Sequence, residues 1–135
     1  MALITWTNEL SVGVDSIDEQ HKKLVNMINS LNDALEKGEA DEMIVKIFNG
    51  LAAYTQKHFA YEEELFAAHG YPDSTAHKRE HGDLIVQVVE LKKKLDTGDF
   101  MIGAELMGFL KKWLTNHILG SDKKYSQFLI QHGVK

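Results

Sequence analysis

"SIDEQHKKLVNMINSLNDALEKG", residues 16–38, decides the fold. Ile17, His21, Leu24, Ile28, Leu31 and Leu35 recur at spacings of four and three, which puts them on one stripe of an α-helix. Ser16 with Glu19 reads as a capping box at its start, and Gly38 as the left-handed residue past its end. The same punctuation repeats downstream. Asp41, Ser74 and Asp99 are the expected N-caps of three more helices, and Gly70, Gly98, Gly120 and Gly133 the expected stops. The predicted helices cover 17–37, 41–69, 75–96 and 100–119, with an N-terminal arm before them and a short helix near 122–132. Connections of a few residues between long helices favour antiparallel neighbours. The expected fold is therefore all-α, an antiparallel up-down four-helix bundle, with residues 1–135 forming a single domain.

Composition narrows the chemistry. A chain of 135 residues that is 44% hydrophobic and 26% charged suits one core. The net charge is −5, and basic residues are interleaved with acidic ones. That argues against a nucleic-acid partner, whose binding depends on neutralising phosphates. There are no cysteines, so thiolate catalysis and iron–sulfur clusters are excluded, and any metal must be held by imidazole and carboxylate. The N-terminus has neither a basic start nor a long apolar run, so no signal peptide and no membrane span are expected, and the expected compartment is the cytoplasm.

The inward stripes carry more than apolar residues. The second helix presents Ile44, Ile47, Leu51, Tyr54, His58, Glu62 and Leu65. The third presents His77, His81, Leu84, Val88, Leu91 and Leu95; the fourth presents Ile102, Leu106, Phe109, Trp113 and His117. A single histidine on an apolar face is ordinarily a hydrogen-bonded core residue. Five placed at random would all land on a stripe of about three positions in seven roughly one time in a hundred. Their depths also agree: His21, His77 and His81 lie near helix starts, His58, Glu62 and His117 near helix ends. In antiparallel neighbours these levels coincide, so the five rings form one layer at one end of the bundle. Such a layer is costly without a cation to partner it. His69 and His132 instead precede glycines at helix C-termini, where they suit the helix dipole. Asp122 follows Gly120 and would have to reach back from a turn to join the layer, since the helical position four beyond His117 is Ser121.

"HKREH", residues 77–81, fits H-x-x-E-H, the pattern of inverted zinc peptidases. That reading leaves His21, His58, Glu62 and His117 without a role and needs Glu80 as a base, although Glu80 is expected on the helix surface.

Taken together, His21 in "DEQHKKL", "HFAYEE" from His58, "HKREH" and "HILGSD" from His117 to Asp122 resemble the hemerythrins over essentially the full length, and specifically the single-domain bacterial hemerythrins (bacteriohemerythrins). Trp6 in the arm also fits. Myohemerythrin, a member of that family, is itself a known up-down bundle, so resemblance and loop length are not independent arguments for the fold. The resemblance implies a non-haem di-iron centre. One iron would take His77, His81 and His117, the other His21 and His58, with Glu62, Asp122 and an oxo or hydroxo group bridging them. With about six donors per ion, one position stays open on the two-histidine iron for a small ligand such as O2. Leu24, Phe59, Trp113, Leu114 and Ile118 are the expected pocket lining, an apolar wall that keeps water out.

Reversible O2 binding is the expected function, without catalysis. The expected role is transport, storage or supply to an oxygen-using enzyme, by a protein expected to be a monomer. Ferritin-like di-iron oxidases use E-x-x-H on two helices, and this sequence has none. Oxygen or redox sensing is the other alternative; such domains often adjoin a signalling domain, and this chain ends at Lys135.

Overall fold

The computed structural model describes residues 3–96 and 103–135. A single 3-10 turn, Asn8–Leu10, precedes helices α1 (Asp15–Glu36), α2 (Asp41–His69), α3 (Ser74–Asp96) and α4 (Gly103–Asn116). A wide π-type turn, His117–Asp122, then leads into α5 (Lys123–Gln131). These form the expected antiparallel up-down four-helix bundle, with no strand among the described residues. The expected start of the fourth helix, with Gly98, Asp99 and Ile102, lies outside the described residues.

The ends of α1 and α2 follow the glycines. Gly38 (φ 66°) lets the Glu39 N–H reach back to Ala34 O at 3.0 Å. Gly70 (φ 69°) lets the Tyr71 N–H reach Phe66 O at 3.0 Å, and the Tyr71 and Phe66 rings meet with centroids 4.9 Å apart. These are left-handed caps, the second with the apolar contact that accompanies them.

The starts do not follow the expected caps. Val14 occupies the N-cap of α1 without a side-chain cap, so the Ser16–Glu19 capping box does not form. Ser16 Oγ instead receives the Tyr61 hydroxyl at 2.8 Å. Asp18 holds the entry: its Oδ1 accepts the Val12 N–H at 2.8 Å and its Oδ2 the Ser11 hydroxyl at 2.5 Å. Asp41 and Ser74 are the first residues of their helices, and Ala40 takes the cap position of α2. For Ser16 a tertiary partner, Tyr61, outweighs the roughly 1 kcal/mol that a local cap offers.

The core runs along Ile17, Leu24, Ile28 and Leu31 of α1, which face Phe48, Leu51 and Phe66 of α2 and Leu106, Leu110 and Leu114 of α4, all buried. Fully burying such a side chain contributes about 1.5–3 kcal/mol. The buried stripe of α2 is displaced from the expected one. Phe48, Thr55, Phe59 and Phe66 are buried, whereas Ile47, Tyr54 and Leu65 are half-buried. α2 packs against both α1 and α3, which widens its apolar face beyond a single row. Leu84, Val88 and Leu91 of α3 are likewise half-buried. The N-terminal arm is pinned by a reciprocal pair: the Ile4 N–H donates to Asn29 Oδ1 and Asn29 Nδ2 donates to Ile4 O, both at 2.9 Å.

Candidate metal centre

Each helix brings its ligand-type residues to one end of the bundle. α1 supplies His21, α2 supplies His58 and Glu62 one turn apart, and α3 supplies His77 and His81 one turn apart. The fourth contribution depends on the wide turn. In a regular α-helix Ser121, not Asp122, would share the face of His117. Between Asn116 and Lys123 the backbone opens instead, and the Lys123 N–H reaches Ile118 O, five residues back. The extra residue rotates Asp122 inward. Gly120 is thus part of this turn and not a helix cap, and it has no positive φ.

All seven predicted side chains meet. Their donor atoms form two overlapping groups with each set of atoms within 4.8 Å: Glu62, His77, His81, His117 and Asp122 in one, His21, His58, Glu62 and Asp122 in the other. The two carboxylates belong to both. Asp122 divides its oxygens, Oδ1 lying 3.0 Å from His77 Nε2 and 3.2 Å from His117 Nε2, and Oδ2 lying 3.1 Å from His21 Nε2. Glu62 directs Oε1 to both groups, 3.3 Å from His58 Nε2 and 3.3 Å from His81 Nε2, while Oε2 accepts the hydroxyl of Tyr125.

The electrostatics are those of charge removed from water. Burial, reinforced by neighbouring imidazoles, lowers His58 and His81 to about 4. Burial also opposes charge on His117, but the Asp122 carboxylate 3.2 Å away prevails and lifts it to about 8. Asp122 resists the upward push of burial because His117, His21 and His77 all face it, and it lies well below the usual range. Glu62 is pushed up by burial and by the neighbouring charge of Asp122.

Whether a cation fits is answered by the atoms left over. Nε2 of His21, His77, His81 and His117, Oε1 of Glu62 and both oxygens of Asp122 are buried without a hydrogen bond. Leaving a buried polar atom unpaired costs about 1–3 kcal/mol. These seven atoms are all donors of the kind that divalent transition metals accept, and they converge.

The Hemerythrin HHE cation binding domain matches residues 12–129. The chain belongs to the hemerythrin family. It is 38% identical over 135 residues to a bacteriohemerythrin of Stenotrophomonas maltophilia (strain R551-3), covering 98% of this chain and 85% of that one. A bacteriohemerythrin of Pseudomonas aeruginosa (strain LESB58) is 41% identical over 125 residues, covering 93% and 80%. A wild-type hemerythrin crystal structure superposes with a TM-score of 0.87 at 36% identity, covering 93% of this chain and 97% of that one.

Around this hemerythrin's centre lie partners that spacing alone missed. Gln20 Oε1 is 2.6 Å from His58 Nδ1, Glu63 Oε2 is 3.4 Å from His81 Nδ1, and Glu80 Oε1 is 3.6 Å from His117 Nδ1. Glu80 also accepts the Ser121 hydroxyl, 2.6 and 2.7 Å from its two oxygens. It is half-exposed, as expected, but it is not an idle surface acid. Nor is it placed as the base of a zinc peptidase, since it stands behind His117 and outside the ligand cluster. The sequence signal for these residues was available: each adjoins a ligand-type residue on its own helix.

The expected wall residues Leu24, Phe59, Trp113, Leu114 and Ile118 are all buried. Phe59 lies flat on His81, with centroids 3.8 Å apart and planes 4° from parallel. A groove of about 390 Å³ between α3 and α4 is lined by Glu80, Asp83, Trp113 and His117 among others; Trp113 is the one wall residue in its lining. At the helix ends, His132 Nδ1 lies 2.7 Å from Phe128 O, in agreement with a capping role. His69 is the last residue of α2, and its ring centroid lies 5.7 Å from that of His132. No helix among the described residues is long and apolar enough to cross a membrane.

Proposed function

We propose that this chain binds dioxygen reversibly at a non-haem di-iron centre, as a carrier, store or supplier of O2 and not as an enzyme. The observation that supports this most is that Glu62 and Asp122 belong to both groups of histidines, an arrangement that would suit two adjacent cations. His77, His81 and His117 would hold one iron and His21 and His58 the other, leaving the latter with one protein ligand fewer. When bound, the ferrous pair supplies the electrons that hold O2.

The chain's own residues then do three things. The histidines and carboxylates would hold both ions against the bundle. Tyr125 holds Glu62 by its free oxygen, which limits how far that carboxylate can swing. Leu24, Leu114 and Ile118, all buried, would form an apolar wall that excludes water from the two-histidine side. Two carboxylates against five histidines give little anionic support for highly oxidised iron, which disfavours a di-iron oxidase.

Iron analysis with O2 titration of the reduced protein under anaerobic control tests the reading. Two irons per chain and uptake reversed on removing O2 are expected. A single zinc in protein made with iron available would overturn it.

A further inference from the structure

The outer partners form a ring with a direction. Gln20, beside His21 on α1, reaches His58 on α2. Glu63, beside Glu62 on α2, reaches His81 on α3. Glu80, beside His81 on α3, reaches His117 at the end of α4. The ring stops there. The residue after His117 is the apolar Ile118, and neither His21 Nδ1 nor His117 Nδ1 makes a hydrogen bond; His117 Nδ1 does have the Glu80 carboxylate at ion-pair distance, 3.6 Å. The charges are therefore uneven. Two carboxylates stand behind the group of His77, His81 and His117. The group of His21 and His58 has one neutral amide and one gap.

A carboxylate at the far nitrogen of a ligating imidazole makes it a stronger electron donor and fixes its plane. An amide oxygen does so less, and an absent partner not at all. Glu80 adds a mechanical connection, because the Ser121 hydroxyl it accepts belongs to the wide turn that carries both His117 and Asp122.

We propose that Glu80, together with Glu63, is a positioning residue that makes the three-histidine half the more electron-rich side of the centre. This lowers the potential at which the iron there gives up its electron. The inference rests on the di-iron reading above. The step is a single-electron one: a ferrous ion becomes ferric and the electron goes to a one-electron acceptor such as ferricyanide.

The test is a potentiometric titration of the iron-loaded protein and of Glu80→Gln, Glu80→Asp and Asp83→Asn. Iron is counted first, because a parent without two irons would defeat the functional reading, not this inference. With two irons present, Glu80→Gln should shift the ferric–ferrous equilibrium toward ferrous about tenfold, which is about 59 mV upward for one electron. Glu80→Asp, which keeps the charge, should recover part of the shift. Asp83 is an exposed acid lining the same groove, and its change to Asn should give little. Should Glu80→Gln prove too poor in iron to titrate, Glu63→Gln must show the upward shift in its place. Equal shifts in Glu80→Gln and Asp83→Asn would reduce the effect to general surface charge and overturn the proposal. So would an unchanged potential accompanied by a lower melting temperature, which would leave Glu80 as a structural clasp for Ser121.

Discussion

His117 and Asp122 are five residues apart in sequence and yet face each other, Nε2 to Oδ1, at 3.2 Å. Regular helical geometry would carry Asp122 round to another face. The wide turn between α4 and α5 is what makes them neighbours.

The turn can be tested by shortening it. Leu119 is half-exposed, so its loss removes little core. Deleting it should close the turn to ordinary helical spacing and leave Asp122 four residues after His117, the position that shares its face in a regular helix. The expected result is a folded bundle that still loads iron, whereas Asp122→Ala should have strongly reduced iron content, read by circular dichroism and metal analysis. Strong iron loss in the deletion variant would show that Asp122 needs the wide turn itself and not only its inward face.

Ligand and cap histidines should separate cleanly. His58→Ala and His77→Ala each remove a buried donor and should lower both iron content and melting temperature, because metal binding and folding are coupled. His69→Ala removes a side chain at the C-terminus of α2, worth about 0.3–1 kcal/mol. An empty site in His69→Ala beside a full one in His58→Ala would refute the ligand assignment.

Leu114 is buried, three residues before His117, and next to Trp113. Leu114→Ala should still load iron and take up O2, but should decay to the oxidised, O2-free form faster than the parent. Lys111→Ala, an exposed change one turn earlier, should not. The lifetime of the oxygenated absorption band at equal iron content decides; equal lifetimes would transfer the guarding role to Leu24 or Phe59.

Protein stripped of iron should lose stability in mild acid. His58 and His81 lie at about 4 in the fold against 6.5 in the unfolded chain. Between those values the unfolded state binds more protons, so stability falls as pH drops from about 6.5 toward 4. His117, raised to about 8, acts in the opposite direction: the stability it adds is complete below 6.5 and is lost as pH rises through 8. Thermal melts of the stripped protein should therefore show a maximum between these limits, with the steeper fall on the acid side. A melting temperature flat from pH 4 to 8 would contradict the burial of these rings.

The bundle and the convergence of five histidines with Glu62 were legible because helical periodicity fixes which face a residue takes, and alternating helix direction fixes its depth. Asp122 was readable only by resemblance. Its placement depends on a local departure from that periodicity, and "HILGSD" shows merely a glycine that looks like a stop. The Ser16–Glu19 cap was misleading for a related reason: a local pattern competes with distant partners, here Tyr61, that no local window contains. Glu80 was rightly placed at the surface, but the meaning of that position depended on Ser121, 41 residues away.

The ring of Gln20, Glu63 and Glu80 also has a sense of rotation, each residue reaching forward to the next helix and never back. A bundle wound with the opposite hand would keep every helix and every inward stripe. It would, however, set Gln20 against α4, Glu63 against α1 and Glu80 against α2, and all three contacts would be lost. The contacts behind the imidazoles therefore favour the observed hand, and the surroundings of the metal site bear on the fold that builds it.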